Sequence, residues 1–289
     1  MAVQGTTRSV NLHKRQRELI RQFITHLFLS AGAVTMIVPF LWMISTSLKM
    51  PGKVFTYPPQ WIPNPVQWSN YVETVTIMPF DRFFLNSLVQ ATAVTVLQLA
   101  TCSLAAYAFA RLEFPGRDKL FLIYLGTMMI PGQVTMIPNF LLMRFLGWID
   151  TYQALIIPQA FSAFGTFLLR QFFLTLPREL EDAARIDGCS SFGIYWRIIL
   201  PLAGPALAAL AIFTFMGQWN NFLWPLIVTR STEMKTLTVG LSAFQGQFAV
   251  KWHLLMAGST ISLLPILIIY VIAQKYFIQG IALTGMGGR

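Results

Sequence analysis

Residues 22–48 read QFITHLFLSAGAVTMIVPFLWMISTSL, a stretch of 27 residues without Asp, Glu, Lys or Arg. A helix needs about 20 predominantly apolar residues to cross the hydrocarbon core of a bilayer. Five more charge-free stretches come to about that length, at residues 83–110, 120–143, 151–169, 198–229 and 252–274. The sequence therefore predicts an all-α integral membrane protein with six transmembrane helices.

The limits of these spans follow from length and from proline. The fifth stretch is too long for one span, so it is expected to begin near Pro201 and to end near Leu226. A seventh charge-free stretch, residues 54–72, contains four prolines and several amides, which would leave backbone groups unpaired in lipid, so it is predicted to be external. The predicted spans are about 24–48, 84–110, 120–143, 151–169, 201–226 and 254–274.

The overall composition supports a single membrane domain. Of the 289 residues, 55% are hydrophobic and 11% are charged, whereas about a quarter of the residues of a soluble domain are charged. We therefore expect one transmembrane domain, residues 22–289, after a short N-terminal segment, residues 1–21. The formal net charge is +10, but the basic residues lie at the ends of apolar stretches, where membrane topology explains them. Membrane lipid is an expected partner, and nucleic acid is not.

The distribution of basic residues predicts the orientation of the chain. With the N-terminus in the cytoplasm, 14 Lys and Arg residues lie in cytoplasmic segments and 7 lie in external loops. An excess of basic residues is typical of the cytoplasmic side, so both termini are predicted to be cytoplasmic. This topology places residues 170–200 in a cytoplasmic loop and residues 49–82 and 230–251 in external loops.

The predicted membrane interior lacks the groups that would drive uphill transport. Proton- and ion-coupled carriers usually keep an ionisable residue within the bilayer, and the six spans contain no acidic or basic residue. The sequence also contains no GxxxxGK[ST] loop that would bind the phosphates of a nucleotide. No cofactor, metal site or catalytic residue is expected in this chain. Energy for uphill transport would have to enter through a partner.

The spans do contain amides and aromatic rings. Amides hydrogen-bond to sugar hydroxyls and rings pack on the apolar faces of sugars, so four residues near the end of the fifth span are candidates for a solute pathway: Trp219, Asn220, Asn221 and Trp224. Hydrogen bonds between helices and an interfacial aromatic belt explain the same residues without any function. Both explanations remain open at this point.

The cytoplasmic loop of residues 170–200 contains the densest charge in the protein. Pro177 and the acidic residues after it favour a short helix, which Gly188 can end in the left-handed conformation. Ser190 or Ser191 can cap a second helix that leads into the fifth span. On the first helix, one small and mildly apolar face is predicted, formed by Leu180, Ala183, Ala184 and Asp187. Such a face suits docking of another protein, although a solvated connection would also fit.

The loop also resembles a known motif. Its sequence DAARIDG at residues 182–188, followed by ILP at residues 199–201, resembles the EAA loop of permease subunits in ATP-binding-cassette (ABC) importers. Further stretches are similar to the maltose-type carbohydrate permeases, in particular to the smaller subunit of the heterodimer: YPPQWIP at 57–63, WNNFLWPL at 219–226 and TLTVGL at 236–241. Asp182 stands where that motif has Glu, and Cys189 where it usually has Ala.

This resemblance implies a type I ABC importer permease fold in a bacterial inner membrane. It also implies four partners: a second homologous permease, two cytoplasmic ATPase subunits that bind ATP and Mg, and an extracytoplasmic solute-binding protein. The residues that would couple the permease to the ATPases are Asp182, Ala183, Ala184 and Gly188, with Glu181 and Asp187 as neighbouring polar contacts. The external loop of residues 230–251 would face the binding protein.

The resemblance implies import of a carbohydrate or a related polyol by alternating access. Disaccharides, oligosaccharides, glycosylated polyols and glycerol phosphates all fit similar permeases, so the sequence does not name the solute. The alternative from the residues alone is a stand-alone facilitator or channel for small neutral solutes. A structural membrane subunit without a transport role would leave the similarity of several separate segments unexplained.

Overall fold

The computed structural model describes residues 4–245 and 250–285. Side chains are described for residues 17–245, 250–272 and 274. The N-terminal segment predicted for residues 1–21 and the external loop predicted for residues 230–251 therefore lie partly outside the described residues. The α-helices of the described ranges are α1 (Gln4–Ser47), α2 (Ser69–Ile77), α3 (Phe80–Arg111), α4 (Arg117–Gly126), α5 (Gly132–Phe145), α6 (Tyr152–Ile156), α7 (Ala163–Thr175), α8 (Glu179–Ile186), α9 (Ser191–Ile194), α10 (Leu200–Leu202), α11 (Gly204–Trp219), α12 (Leu223–Val228), α13 (Leu237–Ser242) and α14 (Trp252–Gly285).

Three of these helices are long and apolar enough to cross a membrane, within Arg17–Ser47, Phe80–Arg111 and Trp252–Ile272. Three bent pairs of helices reach the same length and composition together. They are α4 with α5, bent by 96°, α6 with α7, bent by 43°, and the helices from Ser191 to Leu202 with α11, bent by 77°. Counting each bent pair as one span gives the six spans that the sequence predicts.

Proline and its neighbours explain where the bent spans break. Ile130 precedes Pro131 and adopts an extended conformation (φ −83°, ψ 115°), because proline disfavours helical geometry in the residue before it. Between α6 and α7, Pro158 lies in a single 3₁₀ turn, and extended Ser162 then caps α7 by accepting a hydrogen bond from the Gly165 N–H at 3.0 Å. The breaks occur where the chain loses backbone donors.

The fifth span ends earlier than the sequence predicts. Its helix α11 ends at Trp219, and Leu223 starts the separate helix α12, whereas a continuous span to residue 226 was expected. The proline at position 225 has no N–H to donate to the carbonyl of Asn221, so a continuous helix would lose that bond. The amides at 220 and 221 consequently lie in a break between two helices.

Helix α3 lies at the centre of the bundle, packed against α7 and α11. One apolar cluster joins these three helices to the cytoplasmic loop predicted from the sequence, through Phe173, Ala184 and Tyr195. A second cluster at the other end of α3 joins it to α13 and α14 through Phe83, Leu241 and Leu254. Helix α1 contacts α14, and its described apolar side chains from Leu19 to Leu41 are exposed.

Hydrogen bonds and ion pairs connect neighbouring segments at each of the two ends of the bundle. At one end Arg170 of α7 pairs with Asp118 at 3.5 Å, which joins the second half of α7 to the first turn of α4. At the other end the Asp150 carboxylate accepts the backbone N–H groups of Arg230 and Ser231 at 2.8 and 3.0 Å. Burial raises the pKa of Asp150, but these hydrogen bonds outweigh it and hold the pKa below the ordinary value. Segments that the sequence assigns to one side of the membrane thus lie together at one end of the bundle.

Candidate functional site: the loop between α7 and α11

The loop folds as the two short helices that the sequence predicts. Helix α8 begins just after Pro177 and carries its three acidic residues in the first turn, where the helix dipole favours negative charge. It ends at Gly188, whose φ of +82° lies in the left-handed region. The N–H of Cys189 then bonds back to the carbonyl of Ala184 at 2.9 Å, which satisfies a carbonyl of the last turn.

The second helix starts with the predicted serine cap. The Ser190 Oγ accepts the N–H of Gly193 at 3.2 Å and starts α9. A π-helical turn, Tyr195–Ile199, follows and leads through α10 towards α11. The Tyr195 hydroxyl lies 2.8 Å from the Ser103 hydroxyl, so this second helix is hydrogen-bonded to the middle of α3.

A buried arginine fixes the first helix. Arg111, the last residue of α3, places its Nε 2.9 Å from Oε1 of Glu181, and both side chains are only 2–3% exposed. Its Nη2 donates to the carbonyl oxygens of Phe173 and Leu176 at the end of α7. The Nε–Oε1 contact has the distance but not the alignment of a hydrogen bond, so it is an electrostatic pair. One guanidinium group thus joins α3, α7 and α8.

The outward face of α8 differs from the prediction. Glu181 and Ala184 are buried against the bundle, so the predicted face of Leu180, Ala183, Ala184 and Asp187 is divided. A helix lying across the end of a bundle must bury one side, and these two positions, three apart, form that side. The residues presented outwards are Leu180, Asp182, Ala183, Ile186, Asp187 and Gly188. Ile186 is 87% exposed, although it did not belong to the predicted face.

The left-handed glycine supports the first specific prediction. Gly188→Val should destabilise the end of α8 by about 1–2 kcal/mol or more, because a β-branched residue is strained at positive φ. No atom lies within 4 Å of an added Cβ, so strain rather than collision causes the effect. Thermal unfolding of the purified chain in detergent measures it. Gly188→Asn is the matched control, since asparagine tolerates this region, and equal melting of both variants would contradict the assignment.

Two of the four predicted pathway residues pack inside the chain. Trp219 is 2% exposed, stacks on Phe215 and donates its Nε1–H to the Ser262 carbonyl of α14 at 3.0 Å. Trp224 is also buried, and its Nε1–H reaches the Ala154 carbonyl at 2.9 Å. Both tryptophans therefore join helices of this chain. The interpretation as helix packing, left open by the sequence, describes them.

The two predicted asparagines lie beside a groove between three helices. Asn220 is exposed, and Asn221 is half-buried with its Nδ2 3.3 Å from Oε1 of Gln218. Gln218 also accepts from buried Gln90 at 3.3 Å. The groove holds about 360 Å³ between α3, α7 and α11 and is lined by Gln98, Ser162, Phe164, Leu210, Phe213, Thr214, Gly217 and Gln218. Most of this lining is apolar, and amide and hydroxyl groups lie among the phenyl rings.

The comparison with known families matches this architecture. Residues 101–283, which include the loop and every groove residue named above except Gln98, match the family described as "Binding-protein-dependent transport system inner membrane component". The chain belongs to this family. The permease is 44% identical over 209 residues to AraQ of Bacillus subtilis (strain 168), an arabinooligosaccharides transport system permease protein, covering 72% of this chain and 74% of AraQ. It is 34% identical over 265 residues to UgpE of Yersinia pestis, an sn-glycerol-3-phosphate transport system permease protein, covering 89% and 94%.

Solved structures support the same fold. The permease matches a chain of a bacterial ABC transporter involved in the import of the acidic polysaccharide alginate, with a TM-score of 0.81 and 26% identity, covering 90% of this chain and 98% of that chain. The predicted fold class, a type I ABC importer permease, is thereby confirmed. An inner-membrane transport component is also what the sequence resemblance implied.

Sequence reasoning missed Arg111 as part of the site. It was counted only as one of the basic residues that set topology, and it lies 70 positions before Glu181. One feature of the sequence could have indicated its role. Arg111 directly follows an apolar, alanine-rich stretch, in the sequence AAYAFAR at 105–111. A charge at that depth requires a partner, and the dense acidic segment at 179–182 was the richest source of one.

Proposed function

We propose that this permease is one of two homologous membrane subunits of an ATP-driven importer, and that α8 is the surface through which two cytoplasmic ATPases act on it. The observation that carries the proposal is the outward face of α8, held to the bundle by the Arg111–Glu181 pair. Both termini and this loop would face the cytoplasm. ATP and Mg would be bound by the ATPases, and an extracytoplasmic binding protein would deliver the solute.

The exposed face of α8 supports docking of a protein. Ala183 is small and exposed, so a partner could approach the backbone closely, while Leu180 and Ile186 offer apolar contact. Asp182 carries charge on the same face and pairs with Arg185 at 3.2 Å. Together with Asp187 and Gly188, these residues would form the contact. Ala184 and Glu181, which the family resemblance included, would support the contact from behind.

The mechanism follows from how α8 is attached. Closure of the ATPases around ATP would displace α8, and its contacts with α3 and α7 would carry the displacement into the membrane. Because α3 and α7 also line the groove, their movement would change which side of the membrane the groove faces. Alternating access of this kind needs no ionisable group in the spans. Opening for the binding protein would occur at the end that carries residues 230–251.

The solute is proposed to be a carbohydrate or a related polyol. Relatives of the permease serve arabinooligosaccharides and sn-glycerol-3-phosphate, and the structurally similar transporter imports alginate. The groove offers amides and hydroxyls that can hydrogen-bond to ligand hydroxyl groups, with phenyl rings beside them. The phenyl rings could pack on the apolar faces of a sugar while these polar groups bind its hydroxyl groups.

The docking role can be tested in the reconstituted importer. Asp182→Lys should reduce ATP hydrolysis stimulated by the loaded binding protein about tenfold, because it places a repelling charge in the contact. Glu113→Lys is the control, since Glu113 is an exposed acid at the same end of the bundle but outside α8. Normal stimulation in Asp182→Lys would overturn the docking role. Solute uptake by the permease alone, without partners or ATP, would establish the stand-alone facilitator instead.

The groove supports a separate prediction. Gln218→Leu should raise the KM for solute uptake about threefold to tenfold, the range expected for losing one neutral hydrogen bond. Assembly with the ATPases should not change, because Gln218 lies far from α8 along α11. Gln133→Leu is the control, since this amide is exposed on α5 and does not line the groove. An unchanged KM in Gln218→Leu would remove the groove from the solute pathway.

A further inference from the structure

Arg111 contacts three separate elements with one planar group. Its Nε lies 2.9 Å from Glu181 of α8, and its Nη2 donates to the carbonyl oxygens of Phe173 and Leu176, the latter at 2.7 Å. These carbonyls lie at the C-terminus of α7, where the helix leaves its last acceptors without partners and where positive charge is favourable. The guanidinium therefore contacts the Glu181 carboxylate and the two α7 carbonyls at the same time. A lysine ammonium, with its single charged nitrogen, could not contact both groups together.

We propose that Arg111 is a positioning residue that makes α8 move as one body with the ends of α3 and α7. This inference rests on the proposed docking of ATPases on α8. The pair is not needed to fill space, because the apolar cluster of Phe173, Ala184 and Tyr195 already packs the same end of the bundle. The pair instead connects the movements of the three helices. A displacement of α8 along the membrane plane must also displace Arg111, and with it α3 and α7.

A second contact supports this assignment. The Tyr195 hydroxyl lies 2.8 Å from Ser103, so α3 is attached to the second helix of the loop as well as to the first. The Arg185 guanidinium also lies 3.7 Å from the other carboxylate oxygen of Glu181. Glu181 thus sits between a buried arginine and a half-exposed one. The two halves of the loop are both joined to α3, which makes this helix the element that would receive the motion.

The functional test uses the complete reconstituted importer with two conservative variants. Arg111→Lys keeps the charge but cannot reach Glu181 and the α7 carbonyls together, and Glu181→Gln keeps the shape but removes the pair. Both should assemble with the ATPases and hydrolyse ATP, yet move about tenfold less solute per ATP, the order expected for one lost charged contact. Arg117→Lys is the control, since its pair with Asp118 is exposed at the same end.

A distance measurement separates positioning from simple folding. Spin labels at Glu179 on α8 and Glu113 just beyond α3 would be placed in a chain whose two cysteines, Cys102 and Cys189, are replaced by alanine. In the parent importer the distance distribution should be the same without nucleotide and with ATP bound. In Arg111→Lys the two distributions should differ, because α8 then moves without α3.

The outcomes distinguish this inference from the proposed function. Failure of the parent permease to copurify with the ATPases would refute the docking role itself. Copurification with a parental ratio of solute to ATP in both Arg111→Lys and Glu181→Gln would overturn only the positioning role. A distance that already changes in the parent importer would also overturn it, whether or not the variants assemble.

Discussion

Arg111→Met should lower the free energy of unfolding of the permease by about 3–5 kcal/mol, because Glu181 then stays buried without its cation. The pair is almost completely removed from solvent, with 2% and 3% exposure. The variant also leaves the carbonyls of Phe173 and Leu176 without the Nη2 donor. Thermal unfolding in detergent, followed by loss of helical signal, measures the change.

Two comparisons make this prediction specific. Arg117→Met removes an arginine whose pair with Asp118 is exposed, and it should cost no more than about 1 kcal/mol. Arg111→Met combined with Glu181→Leu removes both charges and should recover much of the stability, because apolar pairs often replace buried ion pairs at little cost. Equal melting of Arg111→Met and Arg117→Met would show that the pair does not stabilise the loop.

The recovered double variant also tests coupling independently of stability. If it folds and assembles, it still lacks the connection between α8 and the α7 carbonyls. Solute moved per ATP should therefore remain low while unfolding returns towards the parental value. Stability would then depend on whether a buried charge at this position is paired. Coupling would depend on the contacts that join α8 to α7.

The number of spans could be predicted because the bilayer imposes a length on every crossing. Charge-free stretches of about 20 residues are rare by chance, so six of them indicate six spans. The bends were less predictable, because proline permits a bend without fixing its angle. Pro131 coincides with a break of 96°, whereas Pro39 and Pro265 lie within continuous helices. Packing of neighbouring helices decides between these outcomes.

The site was predictable where local chemistry controls it. The left-handed Gly188 after α8 and the cap at Ser190 depend on residues within one turn. The sequence predicts the first, and it offers Ser190 or Ser191 for the second. The direction of Glu181 depends on Arg111, which comes from another span, and the burial of Trp219 depends on Ser262 of α14. A single sequence does not reveal such long-range partners. From the sequence alone, the tryptophans therefore remain candidates both for a solute pathway and for helix packing.

Gly240→Ala should destabilise the end of the permease that carries α13 by about 1–3 kcal/mol, the usual cost of overfilling a packed core. An added Cβ would overlap the ring of Phe83 on α3, including its Cγ at 2.8 Å. The ring cannot easily move aside, since Phe83 is buried in the cluster with Leu241 and Leu254. Gly126→Ala is the control, because no atom lies within 4 Å of its added Cβ in helix α4.

Gly240→Ala should also alter the surface that is proposed to contact the solute-binding protein. Helix α13 is held on α3 by Ser87, which accepts the Leu237 N–H at 2.8 Å, and by Asn86, which donates to the carbonyls of Glu233 and Lys235. Displacing α13 from Phe83 should weaken these bonds and raise the Kd for the loaded binding protein several-fold. Copurification with the ATPases should stay parental, because α8 lies at the opposite end. Loss of ATPase copurification with unchanged binding-protein affinity would contradict this assignment of the two ends.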